Sequence, residues 1–237
     1  MIDIVRQYWQ NYLYTDGFQF TGLAVTLWLL VASLGLGFMS ALPLAVARAS
    51  RNRFLSTPVW LFTYVFRGTP LYVQLLICYT GLYSLHVVHS HALLDAFFRD
   101  AMNCTLLAFA LNECAYATEI FAGSIKATAY GEIEAAIAVG MSRFTVYRRI
   151  ILPSALRRAL PMYGNEAILM LHSTTLAFTA TIPDILKVTR DVNSATYASF
   201  EAFGIAALLY AMIAFALVWM FRQLERRLLA YLKPRSG

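Results

Sequence analysis

Charged residues divide this chain into long apolar blocks. From Gly17 to Ala47 there are 31 consecutive residues without Asp, Glu, Lys or Arg. Further apolar blocks follow, and together they predict five membrane-crossing helices at about Phe20–Ala47, Pro58–Leu85, Ala101–Ile125, Ala159–Thr181 and Ala202–Phe221. A bilayer core of about 30 Å needs roughly 20 helical residues at 1.5 Å each, and every block reaches that length. An odd number of crossings puts the two termini on opposite faces. The first block is too long for the apolar stretch of a cleaved leader and follows both Asp3 and Arg6, so the N-terminus is expected to stay uncleaved. Tyr8, Trp9, Tyr12 and Tyr14, ahead of Asp16, fit either an interfacial amphipathic helix on the outer leaflet or an aromatic belt leading into the first span.

Composition strengthens the membrane reading. Of 237 residues, 59% are hydrophobic and 14% charged, with mean hydropathy +0.60, which excludes a water-soluble domain of ordinary make-up. A net charge of +6 and a pI near 9.3 would suggest nucleic-acid binding in a soluble protein. Here fourteen of the nineteen Lys and Arg residues fall in three short stretches. Arg48, Arg51 and Arg53 follow the first span; Lys126, Arg143, Arg148, Arg149, Arg157 and Arg158 follow the third; Arg222, Arg226, Arg227, Lys233 and Arg235 form the tail. The opposite side holds only Arg6, Arg99, Lys187 and Arg190. That asymmetry reads as membrane topology, with the N-terminus outside and the C-terminus in the cytoplasm, and no nucleic acid is expected. Cys78, Cys104 and Cys114 match neither a zinc spacing nor a disulfide framework and read as packing residues.

The longest cytoplasmic connection carries the most specific pattern. Residues from Glu132 to Ala138 are good helix formers ending at Gly140, a natural C-cap, and Ser142 can cap a second short helix that runs toward Pro153. Small alanines and Ile133 and Ile137 beside acidic side chains suit docking against another protein; on composition alone, a loop re-entering the membrane edge is the alternative.

Glu134-Ala135-Ala136, three residues, Gly140, nine residues and then Ile150-Ile151-Leu152-Pro153 resembles the EAA loop of bacterial ABC importer membrane subunits. Phe66-Arg67-Gly68-Thr69-Pro70-Leu71 resembles a segment of the polar amino acid permeases within that superfamily, and Asn112–Gly123 and Asn165–Thr179 extend the likeness over nearly the whole chain. The resemblance implies an all-α membrane protein with five transmembrane helices, of the type I ABC importer kind, with cytoplasmic coupling helices. It divides the chain into a periplasmic amphipathic segment (1–19), a transmembrane domain (20–221, coupling loop 126–158) and a cytoplasmic tail (222–237). It also implies a second, similar membrane subunit, two cytoplasmic ATPase subunits, a periplasmic binding protein for basic amino acids and contact with membrane lipid, in the bacterial inner membrane. Glu134, Ala135, Ala136, Gly140, Ile150, Leu152 and Pro153 would couple to the ATPase. The chain has no Gly-x-x-x-x-Gly-Lys-[Ser/Thr] loop, so no cofactor is expected on it, and ATP and Mg belong to the partner ATPase.

Ionisable groups inside spans are costly and face a bundle interior or an aqueous cavity. Counted from the cytoplasmic ends of the expected spans, Arg67, Glu119 and Glu166 lie about 9–14 Å deep and could share one layer. One cation against two carboxylates leaves negative charge that a Lys, Arg, ornithine or protonated His side chain could neutralise in passing. Glu166 is the first choice for the substrate's cationic end, with Asn165, Thr174 and Thr175 on the same span able to meet its ammonium and carboxylate. Glu119 and Glu113 complete the candidate set; six residues apart, about 240° around a helix, they cannot both point at one narrow site. For each carboxylate a structural hydrogen bond or ion pair is the competing role. Arg67 reads as a structural charge where Gly68 and Pro70 loosen the helix.

His86, His89 and His91 crowd an outer loop near Asp95; a solvated loop contacting the binding protein is favoured over a metal site. No arrangement of nucleophile and base is credible, so the chain is not expected to be an enzyme. A proton-coupled secondary transporter is the alternative function, although such carriers normally have more helices.

Overall fold

The computed structural model describes residues 2–229. The last part of the expected tail, residues 230–237 with Lys233 and Arg235, lies outside the described residues. The described chain is helical, in the order α1 (Ile2–Leu13), α2 (Gly22–Ala49), α3 (Arg53–Gly68), α4 (Leu71–Leu76, continuing as a wider turn through Ile77–Gly81), α5 (His86–His89), α6 (Ala92–Arg99), α7 (Ala101–Lys126), α8 (Tyr130–Ala138), α9 (Arg143–Val146), α10 (Leu152–Thr174, tightening to a 3₁₀ turn through Thr175–Ala180), α11 (Ile185–Thr196) and α12 (Ser199–Leu228).

Among the described residues, α2 and α12 are each long and apolar enough to cross a membrane alone. The expected second span is not one straight helix: α3 and the segment Leu71–Gly81 meet at 102°, and the two together make a third apolar stretch. Pro70 explains the break. It has no N–H to continue the α3 ladder, and it forces the preceding Thr69 into an extended conformation, φ −112° and ψ 144°. The remaining long helices, α7 with 26 residues and α10 with 23, carry Asn103, Asn112, Glu113 and Glu119, and Arg157, Arg158 and Glu166, and are not picked out by length and apolarity alone.

In lipid no hydrophobic force drives helices together, so they associate where backbones can approach closely. Helix α2 offers such a ridge. Ser33, Gly37, Ala41 and Ala45 recur every fourth residue, are all buried, and face α7. A Cβ on Gly37 would fall 2.3 Å from Glu113 Cγ. Gly164 plays the same part between α10 and α12, where the ring of Phe221 lies on it. All three cysteines are buried and unbridged, as expected of packing residues.

The N-terminal segment is an amphipathic helix. Ile4 and Tyr12 of α1 pack with Val188 and Val192 of α11 and Ala202 and Ile205 of α12, while Val5, Trp9 and Leu13 point outward. Gly22, at φ +58°, lets the chain turn directly from α1 into α2; a Cβ there would lie 2.1 Å from the Tyr12 carbonyl oxygen.

A buried knot ties these elements at the end of the molecule where α2 and α11 begin. Asp184 caps α11, accepting from Lys187 N–H at 2.8 Å, and its other oxygen accepts from the Tyr210 hydroxyl at 3.3 Å. Thr26 of α2 accepts from Ile185 N–H, and Gly22 N–H donates to Pro183 O at 2.7 Å. Burial outweighs these bonds and pushes the Asp184 carboxyl up to about 7. An unfolded Asp titrates near 4, so the fold prefers the neutral acid: this stabilisation is complete below about pH 4 and is lost as pH rises through 7. The thermal midpoint of the solubilised protein is therefore expected to fall from about pH 4 to about pH 7 and to level off above that, and Asp184→Asn to flatten that fall. Parallel curves for parent and variant would contradict it.

Candidate functional site

The polar residues of the bundle interior form two groups on either side of α7. On the α3 side, Glu119 Oε1 accepts from Arg48 Nε at 2.7 Å and from the Thr63 hydroxyl at 2.6 Å. Arg48 closes α2 and was counted with the cytoplasmic charges; the structure brings its side chain into the bundle as the counter-ion of Glu119. The charge balance expected from the sequence is thereby altered. Glu119 is committed to a structural ion pair, which is the competing role the sequence left open for it.

Arg67 stands one helical turn above Thr63. Its guanidinium lies 5.2 Å from the centre of the Tyr116 ring, and no carboxylate lies within ion-pair distance of it among the described residues. The break beside it is stitched by a network that sequence reasoning missed. Gln74 Nε2 donates to Phe66 O at 2.7 Å and to Thr69 O and Oγ1, while Asn112 Nδ2 donates to Phe66 O and to Gln74 Oε1. Those amides satisfy carbonyls that the interrupted helix would leave bare in the membrane. A Gln four residues after a mid-span Pro, and an Asn in an apolar run, were the available signals.

On the α10 side lie Glu113 and Glu166. Glu113 is fully buried against Gly37, and neither of its oxygens has a hydrogen-bond partner. The nearby Tyr163 hydroxyl gives its proton to Leu34 O at 3.1 Å instead. Glu166 is 8% exposed, makes no ion pair among the described residues, and is within electrostatic reach of both Glu113 and Arg67. The expected divergence of Glu113 and Glu119 is realised: one faces α2 and α10, the other α3.

Depth also shifts. Helix α3 begins at Arg53, earlier than the expected span, so Arg67 lies fourteen residues, about 21 Å, along it; Glu166 lies fourteen residues beyond Leu152, on a helix that continues below that residue. Glu119, seven residues before the end of α7, sits about 10 Å in and belongs to a lower layer. Asn165 is exposed, on a stripe of α10 with Met162, Leu169 and His172. Thr174 and Thr175 do not join Glu166. Both hydroxyls bond carbonyls of their own helix, Leu171 O and His172 O, and Thr174 is fully buried.

At the other end, Val139 caps α8 and Gly140, at φ +80°, carries the left-handed turn. Gly140 N–H donates to Ile137 O at 2.9 Å and Met141 N–H to Ala136 O at 3.1 Å, the paired bonds of a Schellman turn. Ser142 caps α9 through Thr145 N–H. Ala136 is buried against the bundle, whereas Glu132, Glu134, Ala135, Ile137, Val139 and Phe144 are exposed. The second loop helix does not stop at Pro153. A wide turn over Tyr147–Ile151, in which Leu152 N–H reaches back to Tyr147 O, passes α9 straight into α10 and lies just before Pro153, which has no N–H to give to the preceding turn. Ile150, Leu152 and Pro153 are therefore part of a continuous helix that leads to Glu166. Between α5 and α6, His89 Nδ1 lies 2.8 Å from Asp95 Oδ1, with its ring edge-on to Tyr83.

A bundle of long apolar helices with buried, unpaired carboxyls inside and an exposed helix pair at one end has the features of a membrane transport subunit. The chain belongs to the family of binding-protein-dependent transport system inner membrane components, whose model matches residues 33–230. It is 60% identical over 235 residues to the histidine/lysine/arginine/ornithine transport system permease protein HisM of Salmonella typhimurium strain LT2, covering 99% of this chain and 100% of that protein. It is 41% identical over 212 residues to the nopaline transport system permease protein NocM of Agrobacterium fabrum, covering 90% of this chain and 88% of NocM. Among solved structures it resembles an amino acid ABC transporter with histidines, with 30% identity, TM-score 0.73 and 85% and 90% of the two chains covered. It shares its fold with the MetNI methionine ABC transporter, at 15% identity and TM-score 0.72, covering 87% and 94%.

Proposed function

We propose that this chain is a membrane-spanning subunit of an ATP-driven importer that carries basic L-amino acids, namely histidine, arginine, lysine and ornithine, from periplasm to cytoplasm. The observation that carries the substrate class is the pairing of Glu113 and Glu166, two buried carboxylates within electrostatic reach of each other and without an ion-pair partner. Like charges brought together in a low-dielectric interior repel unless one carboxyl holds a proton or a cation joins them, and a basic side chain in transit is such a cation. The family, and the substrates in the name of the 60% identical permease, agree with that reading. Glu166 takes the cationic end, and Asn165 on the adjoining exposed stripe lies where the passing solute can meet it.

The rest of the machine is assigned on the same footing. The chain crosses the inner membrane five times with its N-terminus in the periplasm, residues 1–19 lying on the outer leaflet and 222–237 in the cytoplasm, as the charge asymmetry supports. A second homologous membrane subunit, two ATPase subunits holding ATP and Mg, and a periplasmic basic amino acid-binding protein complete it. The loop 126–158 docks on the ATPase through the exposed face of α8, and closure of the ATPase pair reaches the spans through it as rigid-body movement. The test is reconstitution in proteoliposomes. ATP-dependent uptake of arginine and lysine should require the liganded binding protein, and a cysteine at Arg143 in an otherwise cysteine-free chain should be labelled only from the ATP side. Uptake without ATP, or labelling of Arg143→Cys from the opposite side, refutes the assignment.

A further inference from the structure

The charges on the α3 side of α7 do not cancel. Arg48 and Arg67 face one carboxylate, Glu119, and that carboxylate is already held by Arg48 and Thr63. Arg67 remains as an exposed cation over the face of Tyr116, with no carboxylate in ion-pair distance among the described residues. It lines a cavity of about 250 Å³ whose walls include the stacked rings of Trp60 and Tyr64 and the backbone at Gly68. No side chain fills the space beside Gly68, because a Cβ built there meets nothing within 4 Å. Gln74 and Asn112 hold the broken backbone from behind, so Arg67 is presented on a braced end rather than a loose one.

We infer that Arg67 binds the α-carboxylate of the amino acid in transit, with the cavity between Arg67 and Thr63 receiving the backbone end of the solute. The inference rests on the reading of Glu166 as the site for the cationic side chain. Arg67 stands on the wall of that cavity, and Glu166 is within electrostatic reach of it. A basic amino acid has a carboxylate at one end and a cation at the other; Arg67 and Glu166 offer the opposite charges. Glu119, paired below, keeps Arg48 from competing for the carboxylate. Arg67 thus acts as more than a structural charge, and it distinguishes an amino acid from the corresponding amine.

Agmatine, which is arginine without its carboxylate, supplies the test. The membrane complex containing this chain is placed in nanodiscs without binding protein, and bound radiolabelled arginine is displaced by arginine or by agmatine. Arginine should bind the parent about tenfold to a hundredfold more tightly, the worth of one hydrogen bond to a charged group. Arg67→Gln should weaken arginine until it binds within about twofold of agmatine, while agmatine itself is unchanged; Arg67→Lys should keep part of the gap. Glu166→Gln should weaken both ligands equally and leave the gap intact. An undiminished gap in Arg67→Gln overturns the inference. So does an intact gap accompanied by a reduced yield of assembled complex, which would assign Arg67 to a carboxylate of the partner subunit. If Arg67→Gln does not assemble, Arg67→Lys decides: selective loss of arginine supports the inference, and equal losses overturn it. Closure of the gap with Glu166→Gln harmless to both ligands would leave Arg67 as inferred and refute the role of Glu166. An absence of saturable arginine binding to the parent refutes both.

Discussion

Gly140→Val is expected to abolish coupled transport while leaving the subunit in the membrane at normal yield. A side chain at position 140 would meet no atom within 4 Å, so the objection to it is conformational and not steric. At φ +80° an L residue suffers a clash between Cβ and its own backbone worth roughly 1–2 kcal/mol, and a β-branched side chain fares worst. That cost is too small to unfold a helical bundle, but it falls on a turn held by only two backbone bonds, Gly140 N–H to Ile137 O and Met141 N–H to Ala136 O. The chain relieves the strain by opening the turn. Met141 then leaves its packing against Ala136 and Ile133, the cap at Ser142 is lost, and α8 no longer holds its angle to α9. Gly140→Ala should be intermediate. The measurement is ATPase stimulation by liganded binding protein together with uptake in the same vesicles, and normal values of both in the valine variant would refute the account.

The second large effect is at Glu166. Glu166→Gln preserves shape and hydrogen-bonding capacity and removes only the charge, so arginine and lysine uptake should fall roughly tenfold or more at unchanged expression, the kinetic equivalent of about 1.4 kcal/mol. Histidine should suffer less, because its side chain is mostly neutral at pH 7. The site is expected to be weak in the parent as well, since a pathway must release what the binding protein delivers. Because Glu166 has no ion pair among the described residues, the variant breaks no structural bridge, and a drop in uptake reports on the solute. If all three substrates are carried at the parental rate, Glu166 is structural.

What could be read from the sequence was what the backbone decides locally. Gly140 as a C-cap, Ser142 as an N-cap and the positions of the long helices follow from propensity, periodicity and capping within a few residues, and the structure has them. What depends on which faces meet could not be read. Arg48 and Glu119 are 71 positions apart, and nothing in either segment declares that their side chains share a layer. Likewise the hydroxyls of Thr174 and Thr175 look available in sequence, yet a Thr inside a helix readily spends its proton on the preceding turn. The bend of 102° after Gly68 lies between these cases. Pro70 announces a break, whereas its angle is set by Gln74 and Asn112, which bond the freed carbonyls from two different helices.

One contact turns the helix that carries Glu166 into a balance beam. Arg158 donates to Ser124 O at 3.0 Å and to the Thr128 hydroxyl at 2.7 Å, which ties α10 by hydrogen bonds to the C-terminal end of α7. Below this pin the helix continues through the wide turn to Arg143, about 22 Å away; above it, Glu166 stands about 12 Å and Thr174 about 24 Å beyond. A beam held at such a fulcrum moves its two arms in opposite senses, so a tilt that carries Arg143 one way by 1 Å carries Glu166 about half as far and Thr174 about equally far the other way, apart from any bend at Pro161. For a tilt about this tie, the ratio of the two displacements is set by where Arg158 falls along the helix.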